Sequence, residues 1–160
     1  MKKSLKISAF TLLLSIYATS SAQACYSARE REAEQGIRIH SELMVIGLTC
    51  MKMPEGQDLY NKYQRFTQKN ADLIAGYESD LINHYSSEGV KNPEKKLNTL
   101  RTDMANDISD KAIAMSTRTF CEKYARNIDE ALDMDQPKLR RWAQHVSPDQ
   151  HVSEQMCSGI

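Results

Sequence analysis

The apolar residues of this chain recur at helical spacing from residue 25 onward. In Cys25–Cys50 they form two lines along one predicted helix, and Ser27 and Glu30 have the spacing of a capping box at its start. The apolar arc is wider than a surface helix needs, so the pattern predicts a helix that packs on more than one side. Gly36 and Gly47 lie within this arc and predict the close approach of a neighbouring backbone.

Later apolar stripes predict the remaining helices. The second helix should run from Leu59 to Tyr85 without a break at Asn70, whose side chain should then find a hydrogen-bond partner inside the protein. A third helix should begin at Pro93, a fourth should be capped by Ser116, and a short fifth should open at Pro137. No alternating strand pattern or internal repeat competes with these helices. The sequence predicts an all-α fold, an up-down bundle of four main helices plus a short fifth.

Residues 1–24 have the pattern of a secretory signal peptide. Three lysines precede a short apolar run at 7–18, and Ala22-Gln23-Ala24 supplies the small residues of a cleavage site. We expect cleavage between Ala24 and Cys25, which places the product in the bacterial periplasm or outside the cell. Lipidation of Cys25 is the competing interpretation. It is disfavoured because Ala22 replaces the usual leucine-like residue and because three cysteines would remain.

The residues after the signal predict one domain, 25–160, with a polar tail from about 147 that is poorly ordered except at Cys157. This part contains 18 basic and 21 acidic residues, a net charge of −3. Such a charge does not favour binding to nucleic acid. A second apolar span is lacking, so the sequence predicts no transmembrane anchor. The sequence does not indicate an oligomeric state.

The four cysteines predict two disulfides, because they are even in number and the compartment is oxidising. No Cys-x-x-Cys pair exists for redox chemistry or zinc. Cys25 and Cys50 would lie about 37 Å apart at the two ends of one helix, too far to pair. Following the helices up and down brings Cys121 back to Cys50. We therefore expect the pairs Cys50–Cys121 and Cys25–Cys157.

His40 is the main candidate for chemistry, since it lies between the two apolar lines of the first helix. It could be a metal or haem ligand or a proton acceptor in a dry interior, but a hydrogen-bonded core histidine is the simpler interpretation. Arg29 and Asn70 are the other candidates for buried polar side chains.

Two methionines suggest a second kind of site. Met51 and Met53 flank a lysine beside Cys50, a pattern that can hold copper ions outside the cytoplasm. A non-covalent haem held by His40 with Met104 or Met115 is a further alternative. Because methionine also fills irregular gaps in protein interiors, the sequence leads us to expect no cofactor.

No catalytic motif is present in the sequence. There is no phosphate-binding loop, nucleophile elbow or free thiol, and the carboxylates are scattered. We therefore expect a non-enzymatic protein that binds another envelope or secreted protein, as inhibitors, immunity proteins, chaperones and accessory factors do. The alternatives are a periplasmic copper or haem carrier using His40 or Met51/Met53, and a hydrolase whose site is assembled only in three dimensions.

Overall fold

The computed structural model describes residues 25–145 and 151–157. The predicted signal peptide, residues 1–24, and the predicted cleavage site after it lie outside these residues. The described part is all-helical, as predicted, and its elements are α1 (Ala28–Cys50), a 3₁₀ turn (Pro54–Gly56), α2 (Leu59–Lys69), α3 (Ala71–Ser87), α4 (Pro93–Ala114), α5 (Thr117–Tyr124), α6 (Arg126–Asp133) and α7 (Gln136–Gln144). None of these helices combines the length and apolarity that a membrane span requires.

Helix α1 is the centre of the fold. The predicted capping box is present: the Glu30 N–H donates to Ser27 Oγ (3.3 Å), and the Ser27 N–H donates to Glu30 Oε2 (2.6 Å). Each of the other six α-helices packs against α1. Even Glu34 and Gln35, on the side opposite the apolar lines, are buried. The prediction of a helix packed on more than one side is confirmed.

The two glycines of α1 lie at close contacts of different kinds. A Cβ at Gly47 would lie 3.4 Å from the Tyr60 Cα, so here the backbone of α2 does approach. A Cβ at Gly36 would instead overlap the ring of Tyr77 on α3. Gly36 therefore makes room for an aromatic side chain and not for a backbone.

Two predicted helices are each divided in two. The second is interrupted at Asn70, between α2 and α3, so the prediction of no break there is wrong. The Asn70 backbone N–H and side-chain Nδ2 both donate to the Phe66 carbonyl, at 3.1 and 3.0 Å. The fourth is divided at Ala125, between α5 and α6. Four main helices thus become six, and the short fifth is α7.

Two disulfides join the chain, Cys25–Cys157 and Cys50–Cys121. This is the connectivity expected from the helix order. Residues 151–157, which we call the C-terminal segment, make further contacts beside the first disulfide. The Tyr26 N–H donates to the Gln155 carbonyl (2.7 Å), and the Cys157 N–H donates to the Tyr26 carbonyl (3.0 Å). The segment therefore lies against the start of α1.

Candidate functional site

His40 is buried between α1 and α2. Its Nε2 lies 3.0 Å from the Tyr63 hydroxyl and 3.2 Å from Thr67 Oγ1, while its Nδ1 is buried without a hydrogen-bond partner in the described residues. Burial, with a smaller contribution from the positive charge of Arg101, lowers the pKa of His40 to about 4. The imidazole is therefore neutral at physiological pH and hydrogen-bonded within the core. This geometry is that of the core histidine, and within residues 25–145 and 151–157 no group of potential metal ligands includes His40.

The methionines next to Cys50 occupy the surface at one end of α1. Met51 is 39% exposed, and Met53 is half-buried against the core. Cys50 is in a disulfide and has no thiolate to offer a metal ion. The haem alternative is not supported by contacts either, because the Nε2 of His40 is occupied by Tyr63 and Thr67.

The two other buried polar candidates differ. Asn70 is fully buried, as expected, and its Oδ1 has no hydrogen-bond partner in the described residues. Arg29 is not buried: its side chain is 78% exposed and its Nη2 lies 2.7 Å from Asp80 Oδ1. The interpretation of Arg29 as a buried residue is wrong: it lies in the first turn of α1 and pairs with Asp80 of α3 from the surface.

Two buried carboxylates are functional candidates that the sequence analysis missed. Glu32 accepts hydrogen bonds from the Tyr77 hydroxyl (3.0 Å), Arg140 Nη1 (2.8 Å) and Gln144 Nε2 (2.8 Å). Burial beside this carboxylate raises the pKa of Tyr77. The Glu32 carboxylate thus joins α1 to α3 and α7, and all three of its partners belong to the same domain.

Glu34 has a similar role for the C-terminal segment. It is fully buried and accepts hydrogen bonds from the Ser153 N–H (2.8 Å) and hydroxyl. Arg38 Nη2 lies 3.6 Å from Glu34 and donates to the His151 carbonyl at 3.1 Å. Both carboxylates satisfy the requirement that a buried charge be paired or hydrogen-bonded, and they hold the fold together.

A cleft of about 350 Å³ lies beside the Cys50–Cys121 disulfide. Its floor is formed by this disulfide, Met53, Leu59 and Ala125. Gly56 lines it as well, and a Cβ there would overlap the Cys50 carbonyl. The 3₁₀ turn can therefore lie close against the disulfide only because residue 56 is glycine.

Charged side chains form the rim of this cleft. Lys62 Nζ donates to Asp129 Oδ1 at 2.6 Å, which closes one side. Three other charged residues of the rim have no ion-pair partner among the described residues, namely Glu55, Arg118 and Glu122. An apolar floor within a polar rim is the usual anatomy of a protein-binding site.

The end of the protein that carries this cleft also exposes large apolar side chains. We call it the Cys50 end, formed by the end of α1, the start of α2, the end of α4 and the start of α5, which the disulfide joins. Leu48 is 45% exposed, Met51 39% and Ile113 78%. Nearby, Ser116 connects α4 to α5 with φ at 71°, a conformation that is costly for a residue with a Cβ.

A larger cavity of about 580 Å³ lies between α1, α4, α5 and His151. Arg38, Asp107, Lys111 and Tyr124 are among the residues that line it.

The architecture defines the class of the protein: an all-helical domain joined by two disulfides, with a rimmed apolar cleft at one end. No known protein family, curated protein or solved structure was found to match this chain.

Proposed function

We propose that the protein is exported to the bacterial periplasm or beyond and acts without catalysis, by binding another envelope or secreted protein. The observation that carries this proposal is the combination, at the Cys50 end, of an apolar cleft with exposed apolar side chains. Two disulfides fit an oxidising compartment outside the cytoplasm.

The size and chemistry of the cleft favour a particular occupant. At about 350 Å³ it is at the small end of ligand cavities, which span roughly 300–1,000 Å³. Its floor of leucine, methionine, alanine and disulfide sulfur offers contacts to an apolar group, while its charges lie at the rim. The occupant we propose is one leucine, methionine or phenylalanine side chain of the partner, with polar neighbours that meet the rim.

The exposed apolar residues extend this site beyond the cleft. Of the four large apolar side chains that are exposed in the described residues, Leu48, Met51 and Ile113 lie at the Cys50 end. Apolar side chains left in water at one end of a molecule mark an interaction surface more often than scattered single residues do. Methionine is suited to such a surface, because its flexible thioether adapts to its partner.

The test begins with a photo-crosslinking residue in place of Met51, introduced into the protein in its own cells. The crosslinked protein is identified and purified, and its affinity is measured for the wild type and for Ala125→Phe. The phenylalanine fills the cleft floor, so we expect binding to weaken at least tenfold, as for loss of a central contact residue. Ala75→Phe adds the same ring to an exposed position of α3 and should bind like the wild type.

A second matched pair separates the two ends of the protein. Met51 and Met156 are equally exposed, at 39%, but Met156 lies beside Tyr26 at the opposite end. Met51→Lys should weaken binding and Met156→Lys should not. Equal affinity for wild type, Ala125→Phe and Met51→Lys would contradict the proposal. So would a dimer of this chain, seen by sedimentation, that Ala125→Phe abolishes, because the occupant would then be a second copy.

A further inference from the structure

His84 lies at the opposite end from the cleft, where three parts of the chain meet. It belongs to the last turn of α3, and the residue is only 5% exposed. Its Nε2 lies 2.8 Å from Glu154 Oε2 in the C-terminal segment, and its Nδ1 lies 3.2 Å from Glu30 Oε1 in the first turn of α1. Glu88 follows one helical turn after His84. In the sequence, His84 and Glu88 are two residues one helical turn apart, and their spacing alone does not indicate that Glu30 and Glu154 lie beside them.

The geometry points to a binding site for a zinc ion, with His84 Nε2 and the carboxylates of Glu88 and Glu154 as ligands. One donor atom of each of these residues lies within 4.8 Å of the other two. Zinc bonds of about 2.0–2.2 Å in a tetrahedron bring ligand atoms to about 3.4 Å from one another. The His84–Glu154 pair is already closer than this, at 2.8 Å, and the Glu88 side chain, which is exposed, lies within 4.8 Å of both.

The chemistry of the donor set fits zinc. Zinc binds both imidazole nitrogen and carboxylate oxygen, and three protein ligands leave a fourth position for water. Magnesium and calcium prefer oxygen donors alone, so the imidazole disfavours them.

The position of Glu30 supports the assignment independently. A histidine that binds a metal ion almost always donates its second ring N–H to a carboxylate or carbonyl, which fixes the tautomer and aims the first nitrogen at the metal. Glu30 occupies that place on Nδ1 of His84. Glu30 is itself fixed by the capping box, since Oε2 accepts from the Ser27 N–H while Oε1 faces the imidazole.

Charge favours a cation at the same place. Glu30, Glu88 and Glu154 converge on one imidazole, and no lysine or arginine forms an ion pair with any of them in the described residues. A zinc ion would neutralise two of these negative charges. It would also link α3 to the C-terminal segment, next to the Cys25–Cys157 disulfide.

The experiment uses the untagged protein with both disulfides formed, stripped of metal by a chelator and titrated with zinc by calorimetry. We expect one zinc ion per chain for the wild type and no comparable binding of magnesium. Glu88→Gln should bind zinc at least tenfold more weakly while leaving the fold intact, because Glu88 is exposed. Glu122→Gln, an exposed glutamate at the Cys50 end, is the matched control and should bind like the wild type.

Glu30→Gln tests the supporting carboxylate. Glutamine still serves the capping box, so the helix start is preserved, but the affinity for zinc should fall tenfold to a hundredfold. Equal zinc binding by wild type, Glu88→Gln and His84→Gln would overturn the assignment. Absence of saturable binding by the folded wild type would also overturn it and would leave His84 as an ion pair between Glu30 and Glu154. Neither result bears on partner binding at the Cys50 end, which is measured with other variants.

Discussion

Replacing His40 with glutamine tests the role of the histidine in the core. Glutamine can keep one hydrogen bond to Tyr63 or Thr67, but it loses the ring contact with Tyr63, whose centroid lies 5.5 Å from that of His40. At neutral pH we expect His40→Gln to lower the free energy of unfolding by about 1–2 kcal/mol, the usual cost of disturbing a buried polar contact.

The pH dependence gives a sharper test than the loss at one pH. The pKa of His40 is lowered from 6.5 to about 4 in the folded protein, mainly by burial. The unfolded chain therefore takes up a proton at a higher pH than the folded protein does. The contribution of His40 to stability is complete above pH 6.5 and is lost as the pH falls through 6.5 towards 4. Linkage gives a loss of about 2 kcal/mol at pH 5 and about 3 kcal/mol at pH 4.

The assay is denaturant unfolding of the wild type and His40→Gln, followed by circular dichroism at several pH values between 7 and 4. The variant should be the less stable protein at pH 7, and the difference should vanish near pH 5 and reverse below it. Titration of other groups affects both proteins alike and cancels in the comparison. A difference that stays constant from pH 7 to pH 4 would refute the reasoning, because His40 would then titrate as it does in water. Stoichiometric copper or haem in the wild type, absent from the variant, would instead establish the carrier function.

Three further predictions follow from the packing, the disulfides and the signal sequence. Gly36→Ala should destabilise the fold by about 1–3 kcal/mol through overpacking. Gly76→Ala has open space around it and should instead stabilise α3 by about 0.5–1 kcal/mol. Thermal unfolding of the two variants measures this contrast, and equal shifts would contradict the prediction. Replacing Cys50 and Cys121 together with serine should lower the free energy of unfolding by about 2–4 kcal/mol, because the bond closes a loop of 71 residues; an unchanged denaturation midpoint would contradict this. The intact mass of the exported protein should correspond to cleavage after Ala24, and a diacylglycerol adduct would show lipidation instead.

The helical class and the central position of α1 could be predicted because apolar spacing and capping are local properties. The break at Asn70 could not be predicted from periodicity. The apolar stripe continues from Phe66 to Leu73 and Tyr77, since both α2 and α3 turn their apolar sides towards α1. The apolar stripe indicates which side of the chain is buried. It does not indicate whether the helical backbone is continuous between Phe66 and Leu73.

The burial of the polar side of α1 could not be predicted from the apolar pattern either, for a related reason. Glu34 looks like a solvent-facing residue in the sequence, and it is buried because Ser153, 119 positions away, covers it. The candidate sites also depend on residues that are distant in the sequence. His84 and Glu88 are visible as a pair one helical turn apart, but Glu30 and Glu154 reach them only through the fold. Leu48 lies on an apolar line of α1 and yet is 45% exposed, so its exposure could not be predicted from the pattern.

The two disulfides are nested, because Cys25–Cys157 encloses Cys50–Cys121 in the sequence. In a chain that crosses a membrane N-terminus first, Cys25 and Cys50 are the first two thiols to reach an oxidising compartment, and bonding them would be an error. Helix α1 prevents that pairing once it forms, since its 23 residues, about 34 Å long, separate Cys25 from Cys50. In such a chain the capping box that starts α1 would help to keep these two thiols apart before either correct partner is available. The outer disulfide could close only once Cys157 is also available.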